Sequence, residues 1–415
     1  MAYEEITALL GGWPGFRLVN VRREEATDER PVPRVVLTLE AVPGRTRCCS
    51  RCGEPVAEVH DVTPREVRDL PILDAETWLE LPRVRVRCPR CGPTVEVVPW
   101  LARYARMTRR FAESVARLAQ VLPIKQVAAH YRLSWDTVKA VDRAALEARL
   151  GPVDLSGVTQ IALDEFAIHK GQRYATSIVD PRTTRVLWVG RGRGREDIRP
   201  FFKLLGSEGC ARLEAAVMDM NEAFEQEVRM HCPQVVIVYD LFHIVAKYGH
   251  DVIDRVRVDE TNRVARAAGP GPVRERRRVI KGTRWLLLRN RGNLRREERV
   301  RLKELLAANH RLWVVYVLKD ALKALWHYRY VGAARRAWKE WYGWAVRSRI
   351  PALVRFAHNL KAKLPGILAH CRYPLHTSLL EGINNNIKVI KRMACGFRDD
   401  AYFFLKIRAA FPGNP

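Results

Sequence analysis

Four cysteines constrain the first quarter of this 415-residue chain more than any other feature: Cys49-Ser-Arg-Cys52 and, thirty-five residues later, Cys88-Pro-Arg-Cys91. Each Cys-x-x-Cys bends into a knuckle that presents two thiolates on one side, and two knuckles close a tetrahedron around Zn²⁺. Gly53 and Gly92 follow the second cysteine of each pair, where the turn asks for a positive φ. Between the pairs, Thr77–Leu81 and Val84–Arg87 alternate apolar with polar residues, as the strands of a zinc ribbon do. Four thiolates leave no open coordination position, so a metal at Cys49, Cys52, Cys88 and Cys91 is expected to hold a fold and perform no chemistry. A redox pair, or slippage of one knuckle to the adjacent Cys48, are the competing readings of these residues. Cys210, Cys232, Cys371 and Cys395 are scattered singly, and an odd total of nine without an export signal argues against a disulfide framework.

Charge indicates the partner. The chain carries 72 Lys plus Arg against 46 Asp plus Glu, a formal charge of +26, which calls for a polyanion. With 47% hydrophobic residues it can build real cores, and its length suggests about two to four domains. No stretch resembles a signal peptide, and nowhere do about 18 apolar residues run uninterrupted, so a soluble, cytoplasmic protein is expected and a membrane partner is not. Eleven Trp and twelve Tyr accompany the spread of positive charge, which favours nucleic acid. Arg45, Arg47, Arg51, Arg83, Arg85, Arg87 and Arg90 ring the cysteine knuckles, as a surface against phosphates would require. The spacing next predicts a helix over Thr108–Val121, a short helix over Ile124–Tyr131 and a third helix from Trp135 capped by Ser134. That is a helix-turn-helix candidate, and its last helix would bring Trp135, Asp136, Thr137 and Lys139 to the major groove.

Beyond a linker at Pro152–Gly157 the texture turns to strands. Gln160–Asp164, Arg173–Asp180 and Arg185–Gly190 form an expected antiparallel meander. A helix Glu196–Leu205, a strand Leu213–Asp219, a helix Asn221–Met230 and a strand Val235–Asp240 follow, which predicts a mixed sheet covered on both faces. Asp164, Asp219 and Asp240 each close an apolar run, and ligands of open α/β sheets gather outside strand ends. Carboxylates gathered at one edge repel unless a cation binds between them, so these residues suit Mg²⁺, although each could instead be a helix cap.

Several ordered motifs carry a resemblance. Leu163-Asp-Glu-Phe-Ala, Lys170-Gly-Gln-Arg-Tyr174, Val179-Asp180 with Thr184-Arg-Val-Leu187, Met218-Asp-Met220, Tyr239-Asp-Leu-Phe-His-Ile244, Asp254-Arg-Val-Arg257, Leu380-Glu-Gly-Ile-Asn-Asn-Asn-Ile-Lys388, Lys391-Arg392 and Gly396-Phe-Arg398 resemble the catalytic domain of the ISL-three family of insertion-sequence transposases. The cysteine module and the helix-turn-helix stand where that family's N-terminal part is expected, so the similarity covers nearly the whole chain. It implies an RNase H-like fold with a DDE metal site in which Asp164, Asp219 and Glu381 hold Mg²⁺ or Mn²⁺. Asp240 and His243 match the family's Asp-x-x-His element, an accessory feature, while spacing alone leaves Asp240 open as the second ligand.

Between the last strand and Glu381 the chain reads as helical. From Arg255 to Lys303 it carries seventeen Lys/Arg and five Asp/Glu, and a Gly269-Pro-Gly-Pro272 break divides that stretch. So one-sided a balance favours phosphate contact. Trp326, Trp338, Trp341 and Trp344 fall near helical spacing and are expected mostly in a core, with one free to stack on an exposed base. Glu381 is expected to begin a helix whose face continues through Asn385, Lys388 and Arg392 towards the DNA backbone. The run Asn384–Asn386 is poor helix former and needs a local reason, such as the scissile strand or a water near the metal.

The resulting expectation is a multidomain α+β chain: a zinc-binding part over 1–100, a helix-turn-helix over 101–152, an RNase H-like domain with a mixed sheet over 153–250 and 373–415, and a basic all-helical insertion over 251–372. Such a chain would bind terminal inverted repeats in double-stranded DNA, cleave and join DNA at two metal ions without a nucleotide triphosphate, and pair two ends as a homodimer or larger assembly. A catalytically silent DNA-binding regulator and an RNase H-like nuclease that cuts without joining are the rival readings.

Overall fold

Alternating apolar and polar residues build the first sheet. The computed structural model describes residues 3–169, 171, 173–266, 280, 283–374 and 378–414, which divide into two units: Met1–Gly151 with Met393–Gly396, and Pro152–Arg392 with Phe397–Pro415. After a short helix α1 (Tyr3–Leu9), the first unit contains β1 (Phe16–Glu24), β2 (Arg34–Ala41), β3 (Val59–Ile72), β4 (Ala75–Cys88) and β5 (Gly92–Val95). Their order is β1-β2-β4-β3, with β5 against β4. The two expected runs, Thr77–Leu81 and Val84–Arg87, are parts of one strand, because Pro82 does not interrupt β4. Pro82 lies opposite Pro64, between the stretch that pairs with β2 and the stretch that pairs with β5, where no third strand asks for its missing N–H.

Three helices complete this unit: α2 (Arg109–Val121), α3 (Ile124–Tyr131) and α4 (Trp135–Leu150). Thr108 and Ser134 cap α2 and α4 through their hydroxyls, and Arg132 turns the chain between α3 and α4 with φ 53°. Phe111, Val115, Val127, Tyr131 and Val138 pack into their common core. Asp69, fully buried in β3, ties this bundle to the sheet: it accepts from Trp13 Nε1 (3.0 Å), Thr108 Oγ1 (2.6 Å), the Leu70 amide (2.9 Å) and Arg110 Nε (2.8 Å). Burial works to raise its pKa, but Arg110 and Thr108 overcome it and hold the carboxyl below its ordinary range. Asp69→Ala leaves these donors unmatched and should cost about 3–5 kcal/mol in urea unfolding at pH 7. Because the folded pKa is depressed, that stabilisation is complete above the unfolded value and is lost as pH falls through the folded one. The gap between wild type and variant should therefore shrink on acidification, and a gap that stays constant rules the explanation out.

The second unit is built on β6 (Gln160–His169), β7 (Arg173–Asp180), β8 (Arg185–Arg191), β9 (Ala215–Met218) and β10 (Val236–Tyr239), ordered β10-β9-β6-β7-β8. β6, β7 and β8 are antiparallel neighbours, whereas β9 and β10 join β6 in parallel, giving the mixed sheet. Helices α5 (Arg195–Arg212) and α6 (Glu222–His231) connect the later strands. α5 outruns its expected end at Leu205, resuming after a kink at Gly206 (φ 72°), and β9 is correspondingly shorter than Leu213–Asp219. Ile161, Leu163, Ala216 and Met218 face one core, while Ala162, Val179, Ala215 and Val217 face another, so both faces are covered.

After α7 (Leu241–Tyr248) come α8 (Arg255–Arg266), α9 (Arg284–Leu288), α10 (Arg296–Ala308), α11 (His310–Ala324), α12 (Val331–Arg347), α13 (Pro351–Lys361) and α14 (Leu364–Leu368). Their apolar faces join the core of the sheet through Val256, Leu287, Val315 and Phe356. The Gly269–Pro272 break lies outside the described residues. Trp338 and Trp341 are core, as expected for most of the tryptophans, Trp326 is half-buried, and Trp344 is exposed. Several insertion arginines are committed to acids within the fold: Arg257 and Arg284 to Asp254, Arg263 and Arg311 to Glu260, and Arg289 to Glu298. Helices α15 (Ser378–Met393) and α16 (Asp400–Ala410) cover the other face of the sheet through Leu380, Ile383, Ile387 and Phe403.

Candidate active site and zinc centre

Register brings the aspartates together. Ala162 of β6 lies beside Val217 of β9, so two residues on, Asp164 is level with Asp219. Met218 pairs with Tyr239 of β10, which sets Asp240 level with Asp219 in turn. The three carboxylates form a row across three adjacent strands. Asp219 and Asp240 directly follow their strands, but Asp164 is not at a strand end: β6 runs on to His169, because β7 continues to pair with it after β9 has stopped.

Asp164 is buried and held at both oxygens. Its Oδ1 accepts from the Glu165 amide (2.8 Å) and lies 3.6 Å from His243 Nε2, and its Oδ2 accepts from Asn384 Nδ2 of α15 at 2.5 Å. Burial above all pushes its pKa up to about 6; Asp240 and Asp219 add to the rise, and His243 and the Glu165 N–H oppose it. Burial and the repulsion from Asp240 and Asp219 are what a hard, oxygen-seeking divalent cation bound at Asp164 would relieve, although among the described residues these acids do not converge to within 4.8 Å as a group of three. Asp240 caps α7 through the Phe242 amide (2.6 Å), and its Oδ2 lies 3.7 Å from His243 Nε2. Asp219 accepts from the Asn221 amide (2.8 Å) and is only half-buried.

Glu381 lies in the first turn of α15, which begins at Ser378, three residues before the expected start. It is exposed, one turn ahead of Asn384 and on a neighbouring part of the same helix face. Asn385, Lys388 and Arg392 are exposed along α15, as a backbone-contacting face requires, with Lys388 Nζ 3.2 Å from Asn385 Oδ1. Lys391 instead anchors α15 to β6, donating to the carbonyls of Ala167 (3.0 Å) and Ile168 (3.1 Å). Of the run Asn384–Asn386, for which the sequence asked a local reason without choosing a member for the metal site, Asn384 is the one that meets Asp164. Its signal was present, since Leu380, Ile383 and Ile387 mark the inward face and Asn384 borders it.

In the first unit the ligand sulfurs of Cys49, Cys52, Cys88 and Cys91 all lie within 4.8 Å of one another, the one such group of three or more possible metal ligands among the described residues. Cys52 Sγ is 3.7 Å from Cys88 Sγ, close to the roughly 3.8 Å edge of a tetrahedron with Zn–S bonds of about 2.3 Å. Gly53 (φ 78°) and Gly92 (φ 71°) make the turns their positions anticipated. These cysteines support a structural zinc. Only part of the surrounding arginine ring is free for phosphate: Arg45 and Arg47 turn to buried Glu96 and Arg85 pairs with Asp61, while Arg51, Arg83, Arg90 and Arg87, the last beside exposed Glu58, face solvent. On α4, Trp135 is exposed with the Lys139 ammonium 5.2 Å from its ring, and the Thr137 hydroxyl meets that of Ser134 at 2.8 Å.

A zinc ribbon, a helix-turn-helix and a mixed sheet with aligned aspartates define a DNA-acting enzyme of the transposase class. Residues 161–407 match a family described as a transposase, residues 96–146 the helix-turn-helix domain of transposase family ISL3, and residues 45–91 the zinc-finger of the IS204, IS1001, IS1096 and IS1165 transposases. The chain belongs to the ISL3 family of transposases. It is 50% identical over 407 residues to the transposase for insertion sequence element IS1001 of Bordetella parapertussis, covering 98% of this chain and 97% of that one. It is also 30% identical over 391 residues to the transposase for insertion sequence element IS1557 of Mycobacterium tuberculosis, covering 90% and 88%. Among the described residues, no helix is long and apolar enough to cross a membrane.

Proposed function

We propose that the chain binds the terminal inverted repeats of an insertion sequence through its zinc ribbon and α4, and cleaves and joins those ends at Asp164, Asp219 and Glu381. The row of carboxylates, reached by α15 through the Asn384–Asp164 hydrogen bond, carries this reading. When bound there, Mg²⁺ or Mn²⁺ supplies activation of an oxygen nucleophile and charge stabilisation at the phosphodiester. Asp164 is the pre-oriented ligand, since each oxygen is fixed by one donor and retains a lone pair. Glu381, exposed on the first turn of α15, completes the set, and Lys388 and Arg392 hold the DNA backbone beyond it. A DNA 3′-OH takes the place of water in the joining step, so one phosphodiester is exchanged for another and no nucleotide triphosphate is consumed. Pairing two ends calls for at least a homodimer in the assembled complex.

Asp219 rather than Asp240 is taken as the second ligand, as the family resemblance implies; Asp219 is reached by solvent, and Asp240 caps α7 beside His243 in the accessory place. The test uses purified protein with Mg²⁺ and a labelled end of its own element. Cleavage and joining by wild type are expected; cutting without joining favours the nuclease, and no cutting favours the regulator. Asp219→Asn should abolish cleavage with normal end binding, and Asp240→Asn, whose amide oxygen keeps the cap on α7, should only reduce the rate. The reverse outcome reassigns the second ligand to Asp240.

A further inference from the structure

An asparagine in the second turn of a helix, bordering an apolar face, needs a reason. Asn384 is a weak helix former, and its neighbours Leu380, Ile383 and Ile387 show that packing alone would be served by another aliphatic residue. Its Nδ2 donates to Asp164 Oδ2 at 2.5 Å. A carboxylate accepts only, so the amide nitrogen must face Asp164 and the amide oxygen must point elsewhere. That oxygen, Oδ1, is buried and meets no hydrogen-bond donor among the described residues. A buried acceptor left unmatched is a standing cost that native folds seldom carry without a purpose.

We propose that Asn384 is a positioning residue of the catalytic centre, fixing the Asp164 carboxylate through its NH₂ while its Oδ1 accepts from the water shell of a cation bound at Asp164. The inference rests on the reading of Asp164 as a metal ligand. Mg²⁺ and Mn²⁺ sites built on few carboxylates keep several waters, and each such water is a donor that needs an acceptor at a fixed place. One amide thereby sets both the rotamer of the first ligand and the orientation of the hydration shell. It also accounts for the local weakness of α15, since neither Leu nor Ala could replace the two functions.

Mn²⁺ binding to the full, zinc-loaded chain, followed by the loss of the free-ion paramagnetic resonance signal, tests this separately from cleavage. Wild type should bind, Asp164→Asn should lose that site, and Asn384→Leu, similar in volume, should bind about tenfold to hundredfold more weakly. Asn384→Asp sets a carboxylate against Asp164, so its melting temperature should fall without metal and rise on adding Mn²⁺ by more than the wild type's does. Unchanged affinity in Asn384→Leu, with Asp164→Asn still defective, overturns the role of Asn384 and leaves the catalytic reading standing. Equal affinity in wild type and Asp164→Asn overturns the metal site itself. If Asn384→Leu does not fold, the Asn384→Asp melting shift decides, and a shift equal to the wild type's counts against the proposal.

Discussion

Asp164→Asn should reduce end cleavage by at least about 10³-fold, the loss of roughly 4 kcal/mol of transition-state stabilisation, while end binding stays within about twofold of wild type. The substitution keeps the shape of the side chain but removes the charge to which the other donors of the site are arranged. Asn could still accept from the Glu165 amide at its oxygen, so the strand is preserved; the loss falls on the position shared with Asn384 and on attraction for a cation. In metal-free protein the variant should melt no lower than wild type. A buried carboxylate level with Asp219 and Asp240 opposes folding, and a neutral amide relieves that repulsion. Cleavage assays paired with gel-shift and thermal unfolding measurements separate the possibilities. A drop in melting temperature together with lost binding would show that Asp164 serves the fold, and unaltered cleavage would remove it from the reaction.

The sequence was most readable where a local rule decides the structure. The first two helices of the helix-turn-helix segment, and the start of the third, were legible to within a residue, because the Thr108 and Ser134 caps act over three residues. The knuckle turns at Gly53 and Gly92 were equally local. Asp219 and Asp240 were legible as strand-end acids, yet Asp164 was misplaced at an end, since the length of β6 depends on β7 pairing with it after β9 has stopped. Ion pairs across long separations were not legible at all. Nothing near Arg45 in sequence announces Glu96, fifty-one residues away, and part of a surface assigned to phosphate is structural as a result. The same applies to Asp69, whose donors Trp13 and Arg110 come from both sides of it in sequence. Asn384 lay between the two cases: the asparagine run signalled a purpose, but only the packed helix selects which of the three faces Asp164.

Removing zinc, by chelation or by Cys88→Ser, should unfold the knuckle end of the first unit and abolish specific end binding. The apolar cluster there comprises only Cys49, Val56, Val84, Val86 and Cys88 with Cys52 and Cys91 at its edge, too little to hold four thiols together unaided. Structural zinc sites contribute about 10–16 kcal/mol in small peptides, comparable with or larger than the whole stability of a typical domain. Without metal the thiols also oppose one another: donating a hydrogen bond to Cys52, together with burial, pushes Cys91 up to about 12, a tension that a shared dication removes. The collapse should be local. Trp13, Leu37 and Leu79 build a separate core in the same sheet, and Phe111, Val115 and Val138 another in the helices, so both should outlast the knuckles. Hydrogen exchange should show the amides of Cys49, Gly53 and Val97, bonded within and around the knuckles, losing protection while α2 and α4 keep theirs. Metal analysis should find one zinc per chain in wild type and in Cys48→Ser and none in Cys88→Ser, whereas a full zinc complement in Cys88→Ser would mean that Cys48 or another group has taken the fourth position and that the tetrahedron is assigned wrongly.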